Sequence, residues 1–155
     1  MDNIIYINTI IPPKDTNTVI TMIIIVMAAI IIPLVFLTFG IIDSMRNTTL
    51  ALTENELIIK SLFYGRKVPI ENIFIDEIKQ IDLDVNTEYA ATLRLNGIFV
   101  PQFRSGWMRL KNKEKALVFI TDKNNVVLIP TKEYLILFSM SNIDEFINKI
   151  TMSTR

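Results

Sequence analysis

Residues 19–42 form a run of 24 residues without a charged side chain, and the only hydroxyls inside it are Thr21 and Thr38. As a helix this run would be roughly 36 Å long, at 1.5 Å of rise per residue, against a bilayer hydrocarbon core of ~30 Å. It is apolar on every side, as expected where lipid is the surrounding solvent. The run therefore reads as a membrane-spanning helix. It divides the chain into a short N-terminal segment (1–18), the span (19–42) and a soluble module (43–155). A secretory signal fits less well, because the start is not basic, the apolar core is too long and no small-residue cleavage site follows. Pro12-Pro13 should break any helix ahead of the span. Pro33 removes one backbone donor inside it and frees the carbonyl of Ala29, which predicts a kink there.

Lys14 precedes the run, whereas Arg46, Lys60, Arg66 and Lys67 follow it. Positive charge gathers on the cytoplasmic side of a span, so the module is expected in the cytoplasm, held at the cell membrane by one crossing. Residues 43–49, if extended, would reach at most about 23 Å at 3.3 Å per residue, which keeps the module close to the bilayer.

Composition excludes several kinds of chemistry. The 16 basic and 16 acidic residues cancel, which argues against a nucleic-acid partner. There is no cysteine and no histidine, so disulfides, thiolate nucleophiles, imidazole bases and the commonest metal ligands are all missing. Four glycines offer little material for a phosphate-cradling loop, and no GxGxxG, GxxxxGK[ST] or HExxH pattern occurs. No catalytic residue, metal or cofactor is assigned. An enzyme built on carboxylates is the rival class, with Asp82 and Asp84 as its best pair. Their alternation with Ile81, Leu83 and Val85 explains them as the wet face of a half-buried strand.

After residue 48 the pattern changes to short β-like runs. Candidate strand runs lie at 48–53, 56–63, 68–70, 78–85, 92–96, 107–110, 115–121, 126–131 and 134–139, and the outline expected is some seven short strands closed by one helix. Residues 71–77 read as a helical turn or loop, and 98–105, with Pro101, as a loop. Asp122-Lys123-Asn124-Asn125 looks like the turn of a hairpin joining 115–121 to 126–131. Asn142 and Glu145 have capping-box spacing, and Ile143, Phe146, Ile147 and Ile150 make one apolar stripe of a terminal helix over about 142–152.

Several stretches carry a resemblance. They are Leu52-Thr53-Glu54-Asn55-Glu56-Leu57 with Phe63-Tyr64-Gly65-Arg66-Lys67-Val68-Pro69-Ile70, then Thr92-Leu93-Arg94-Leu95-Asn96-Gly97 with Gly106-Trp107-Met108-Arg109-Leu110, and finally Lys115 through Asp122 with the helix start at Asn142. In this order and spacing they resemble the bacterial pleckstrin-homology-like domains that carry an N-terminal transmembrane helix. The resemblance covers about residues 50–150. It implies a mainly β fold: a strongly bent antiparallel barrel of about seven strands, with a core at about 48–152 capped by the C-terminal helix. It implies partner binding or assembly, including homo-oligomers, and leaves any small-molecule ligand unassigned. It does not imply phosphoinositide binding, for which the first hairpin offers only Lys60, Arg66 and Lys67 beside Glu54 and Glu56.

The clearest feature within the module is a charge asymmetry. Residues 43–93 hold five basic side chains against nine acids, whereas 94–123 hold seven against two. Arg94, Arg104, Trp107, Arg109, Lys111, Lys113 and Lys115 are therefore the candidate residues for a protein partner or for anionic lipid headgroups.

Overall fold

The computed structural model describes Ile10 and residues 15–152. The expected segment 1–18, with its Pro12-Pro13 break, lies outside the described residues except for Ile10 and residues 15–18. The chain divides into two units, and the division falls within the first helix, between Phe39 and Gly40.

Helix α1, Thr16–Asn47, includes the whole apolar run and continues on both sides of Pro33. Thr21 Oγ1 donates to the carbonyl of Asn17 and Thr38 Oγ1 to that of Leu34, both at 2.8 Å. The helix thus satisfies its own hydroxyls, as an apolar surrounding requires. Among the described residues, α1 is the one helix long and apolar enough to cross a membrane.

The second unit begins with the end of α1. Residues 43–47 are helical and continue α1. The Asn47 side-chain amide donates to the Asp43 carboxylate at 2.6 Å, and Thr48 Oγ1 donates to the carbonyl of Ser44 at 2.6 Å, which closes the helix end. Gly40 and Ser44, four apart, are buried. They pack on the loop at 61–63: Ser44 Oγ lies 3.4 Å and Thr48 Oγ1 3.2 Å from Ser61 Oγ, which can donate to either.

Two sheets follow. Strands β1 (Thr49–Leu52), β2 (Glu56–Lys60) and β3 (Arg66–Pro69) form an antiparallel meander. The second sheet contains β4 (Lys79–Ile81), β5 (Ala91–Val100), β6 (Phe103–Leu110), β7 (Lys115–Ile120), β8 (Val126–Pro130) and β9 (Leu135–Ser139), in the order β4-β8-β9-β7-β6-β5. Helix α2, Ile143–Met152, closes the fold where its stripe was expected, with Ile143 and Ile150 buried. The mainly β architecture closed by a C-terminal helix stands as expected. It holds nine strands rather than about seven, in two unclosed sheets.

Strands β7, β8 and β9 are apolar at nearly every position and buried on both faces. Leu117, Phe119, Val127, Ile129, Ile136 and Phe138 face the meander and α2, in one core cluster with Leu57, Ile59 and Val68. The alternate positions Val118, Ile120, Val126, Leu128 and Leu137 meet Ile81, Met108 and Leu110 in a second cluster. Full two-sided burial explains why these strands lack the polar alternation of a half-wet sheet.

Three local expectations are corrected. Residues 115–121 and 126–131 do not form a hairpin, because β9 lies between β7 and β8, parallel to the first and antiparallel to the second. Ser139 Oγ, at the end of β9, accepts the N–H groups of Thr121 and Asp122 and donates to the Asp122 carbonyl, so the loop is spread to admit a strand. Residues 98–105 are strand rather than loop, with Val100 opposite Phe103. Pro101 occupies the turn, and Gln102 has φ 62°, the combination found in a type II turn. The strand expected at 78–85 ends at Ile81, and Val85 is exposed. Asp82 Oδ1 accepts the N–H of Asp84 at 2.8 Å, an Asx turn that breaks the extended backbone.

Candidate cation–aromatic site

The seven residues singled out from the basic segment do not share one surface. Cross-strand partners point to the same side of a sheet, so register assigns each face. Arg109 pairs with Lys115 and Trp107 with Leu117, which places Trp107, Arg109 and Lys115 on the face toward the meander. Arg94 pairs with Met108, and Arg104 with Phe99 and Ile120, on the opposite face. The Arg104 guanidinium lies 4.4 Å from the Phe99 ring centre, near the tip of the β5–β6 hairpin. Lys111 and Lys113 are exposed in the β6–β7 turn, and the Lys113 carbonyl accepts from Arg109 Nη1 at 2.9 Å.

Two of the seven, Trp107 and Lys115, are brought together, and two residues from elsewhere join them. The Lys115 ammonium sits 4.2 Å from the Trp107 ring centre and the Arg66 guanidinium 5.0 Å from it. The Tyr134 ring meets the indole edge-on at 4.8 Å, in the T-shaped geometry that aromatic quadrupoles favour. Neither Arg66 nor Lys115 makes an ion pair among the described residues. Each is attracted instead by the negative face of the indole, worth about 0.5–1 kcal/mol at exposed positions. Their charges remain open to an anion.

The backbone beneath the site is specialised for close approach. Gly106 has φ +115°, and a Cβ there would fall 2.5 Å from the Asn96 carbonyl and 3.0 Å from Cζ of Tyr64. Tyr64 therefore lies across the β5–β6 pair, where its hydroxyl donates to Asn96 Oδ1 at 3.2 Å. Asn96 is in turn the cross-strand partner of Trp107. The loop after β2 is tied to the indole through these two residues.

Burial raises the Tyr134 hydroxyl above its ordinary value, an effect opposed by Arg66 and reinforced by Glu133. The phenol is therefore neutral and available as a donor at physiological pH. Arg66 and Tyr134 were not singled out from sequence as part of this site. In sequence Arg66 is one of the basic residues that follow the span, within the first hairpin, and Tyr134 opens an apolar run. Only tertiary packing unites them with Trp107.

Asp82 and Asp84 are occupied with local structure. Asp82 Oδ2 accepts from the Asn124 side-chain amide at 3.0 Å, and Asp84 Oδ1 lies 3.4 Å from the Lys123 ammonium. Among the described residues, no group of three or more aspartates and glutamates is placed to hold a metal ion.

A family model described as a bacterial PH domain matches residues 48–153. No curated protein and no solved structure matches the chain.

Proposed function

Since this chain belongs to the bacterial PH domain family, we propose that it is a non-enzymatic membrane protein that holds a PH-like binding or assembly module at the cytoplasmic face of the cell membrane. On this reading α1 crosses the bilayer once. The observation that carries the binding role is strand β5. It is ten residues long, lies at the edge of the six-stranded sheet, and exposes Leu93, Leu95 and Phe99. A partner or a second copy could pair with the edge of β5, whose register is shifted at 91–93 and 94–96, and would cover these three apolar side chains.

Light scattering on the full chain in a neutral detergent tests this reading. Reversible, concentration-dependent association that Leu95→Lys weakens supports assembly. A monomer at every concentration, in detergent and in native-lipid nanodiscs, removes it.

A second reading, headgroup binding, is favoured by the unpaired charges of Arg66 and Lys115 on Trp107. Arg94, Arg104, Arg109, Lys111 and Lys113 would then add long-range attraction to an anionic surface. Trp107 is the only tryptophan, so its emission reports on the site directly. Headgroup binding predicts that emission differs between anionic and neutral nanodiscs, and that high salt or the Arg66→Ala/Lys115→Ala pair abolishes the difference. Identical spectra in the two lipids count against it.

A further inference from the structure

The loop between β2 and β3 carries two large apolar side chains that the fold does not cover. Leu62 is 60% exposed and Phe63 46%. We propose that Leu62 and Phe63 are a second, non-spanning membrane contact, seated at the boundary between headgroups and acyl chains beside the exit of α1. This inference rests on the reading of α1 as a span.

Depth is the first argument. Gly40 belongs to the apolar run at 19–42, and the loop packs directly on it. A Cβ at Gly40 would fall 2.8 Å from Cζ of Phe63 and 3.5 Å from Cδ2 of Leu62. Side chains touching a residue within the run lie near the same level of the bilayer.

Charge is the second argument. Lys60, Arg66 and Lys67 flank the apolar pair, all three are exposed, and no acid occurs between residues 60 and 67. Apolar and aromatic side chains framed by cations suit an anionic interface: the tip reaches about 5–10 Å into the boundary while the cations stay among the headgroups. Lys67 lies 3.4 Å from Glu56, which leaves Lys60 and Arg66 without an ion pair among the described residues.

Rigidity is the third. Ser61 Oγ is held by Ser44 and Thr48 on one side of the tip, and Tyr64 is held by Asn96 on the other. The loop is thus held on both sides of the tip, so little backbone freedom is lost when it inserts.

The absence of cysteine allows a site-directed spin-label test on the full chain in vesicles of mixed neutral and anionic phospholipid. Single variants Leu62→Cys, Phe63→Cys, Val85→Cys and Ile30→Cys would be labelled, and the ratio of collisions with oxygen to collisions with a water-soluble nickel chelate read at each. Val85, 75% exposed, is the aqueous reference, and Ile30 is the reference within the apolar run. The proposal predicts a ratio at Leu62 and Phe63 several-fold above that at Val85 and below that at Ile30. Ratios at both loop positions equal to that at Val85, with Ile30 in lipid, overturn the loop contact and leave the span intact. An aqueous ratio at Ile30 overturns the spanning reading, and the loop contact with it.

Discussion

The Phe63 ring lies over Gly40, its Cζ 2.8 Å from where a Cβ on that glycine would stand. The last turns of α1 are thereby part of the folded β-rich unit. A side chain at position 40 must displace the ring. Gly40→Leu is expected to lower the stability of that unit by about 1–3 kcal/mol through overpacking. Gly40→Ala should be far milder, because Phe63 is half exposed and can swing aside while the helix gains about 1 kcal/mol of propensity. Denaturation of the full chain in detergent, followed by Trp107 fluorescence, checks the order of the two variants.

Ser139, at the end of β9, ties that strand to the loop after β7. Its hydroxyl makes three hydrogen bonds to the backbone of Thr121 and Asp122. Ser139→Ala should cost about 1 kcal/mol, since the freed backbone groups can turn to water. Hydrogen exchange should quicken first at Thr121 and Asp122. Unchanged protection there would mean that the hydroxyl does not hold the loop.

Ser105 Oγ is fully buried and has no hydrogen-bond partner among the described residues. Ser105→Ala removes a hydroxyl that gains nothing from burial. The variant is expected to be as stable as the parent or more stable, by about 1 kcal/mol. A clear loss of stability would reveal a partner for that oxygen.

Two exposed carboxylates link stability to acid. The Asp122 carboxyl is held below its ordinary value by the Asn125 side chain and then by the N–H of Asn124. Glu145 is lowered mainly by Lys149, 2.6 Å away, with a further hydrogen bond from Asn142. A depressed folded-state value means that the folded chain binds fewer protons than the unfolded one. The stabilisation is therefore present above the ordinary carboxylate range and is lost as pH falls below about 4, through the folded values. The Asp122→Asn/Glu145→Gln pair should flatten the fall of Tm in that range, and an unaltered slope would contradict the assignment.

Much of this fold was legible because its signals are local. The apolar run, the α2 stripe at Ile143, Phe146, Ile147 and Ile150, and the strand at 115–120 follow from periodicity or length alone. What was not legible depends on contacts distant in sequence. The four polar residues after Thr121 read as a hairpin turn, because nothing near them announces that β9 will enter between the flanking strands. Pro101 reads as a strand breaker until Gln102 is seen to supply the positive φ of a tight turn. The basic segment was visible as composition, but pleating sends Arg104 and Lys115 to opposite faces. The cluster at Trp107 draws Arg66 from a different sheet.

On the proposed reading α1 crosses a bilayer and tethers the PH-like module to it. Alkaline carbonate extraction of membranes containing the full chain tests this most directly. The full chain is expected to stay in the membrane pellet and to leave it only with detergent, whereas a variant lacking residues 19–39, ahead of the folded β-rich unit, leaves in the carbonate wash. Release of the intact chain into the carbonate supernatant would contradict it.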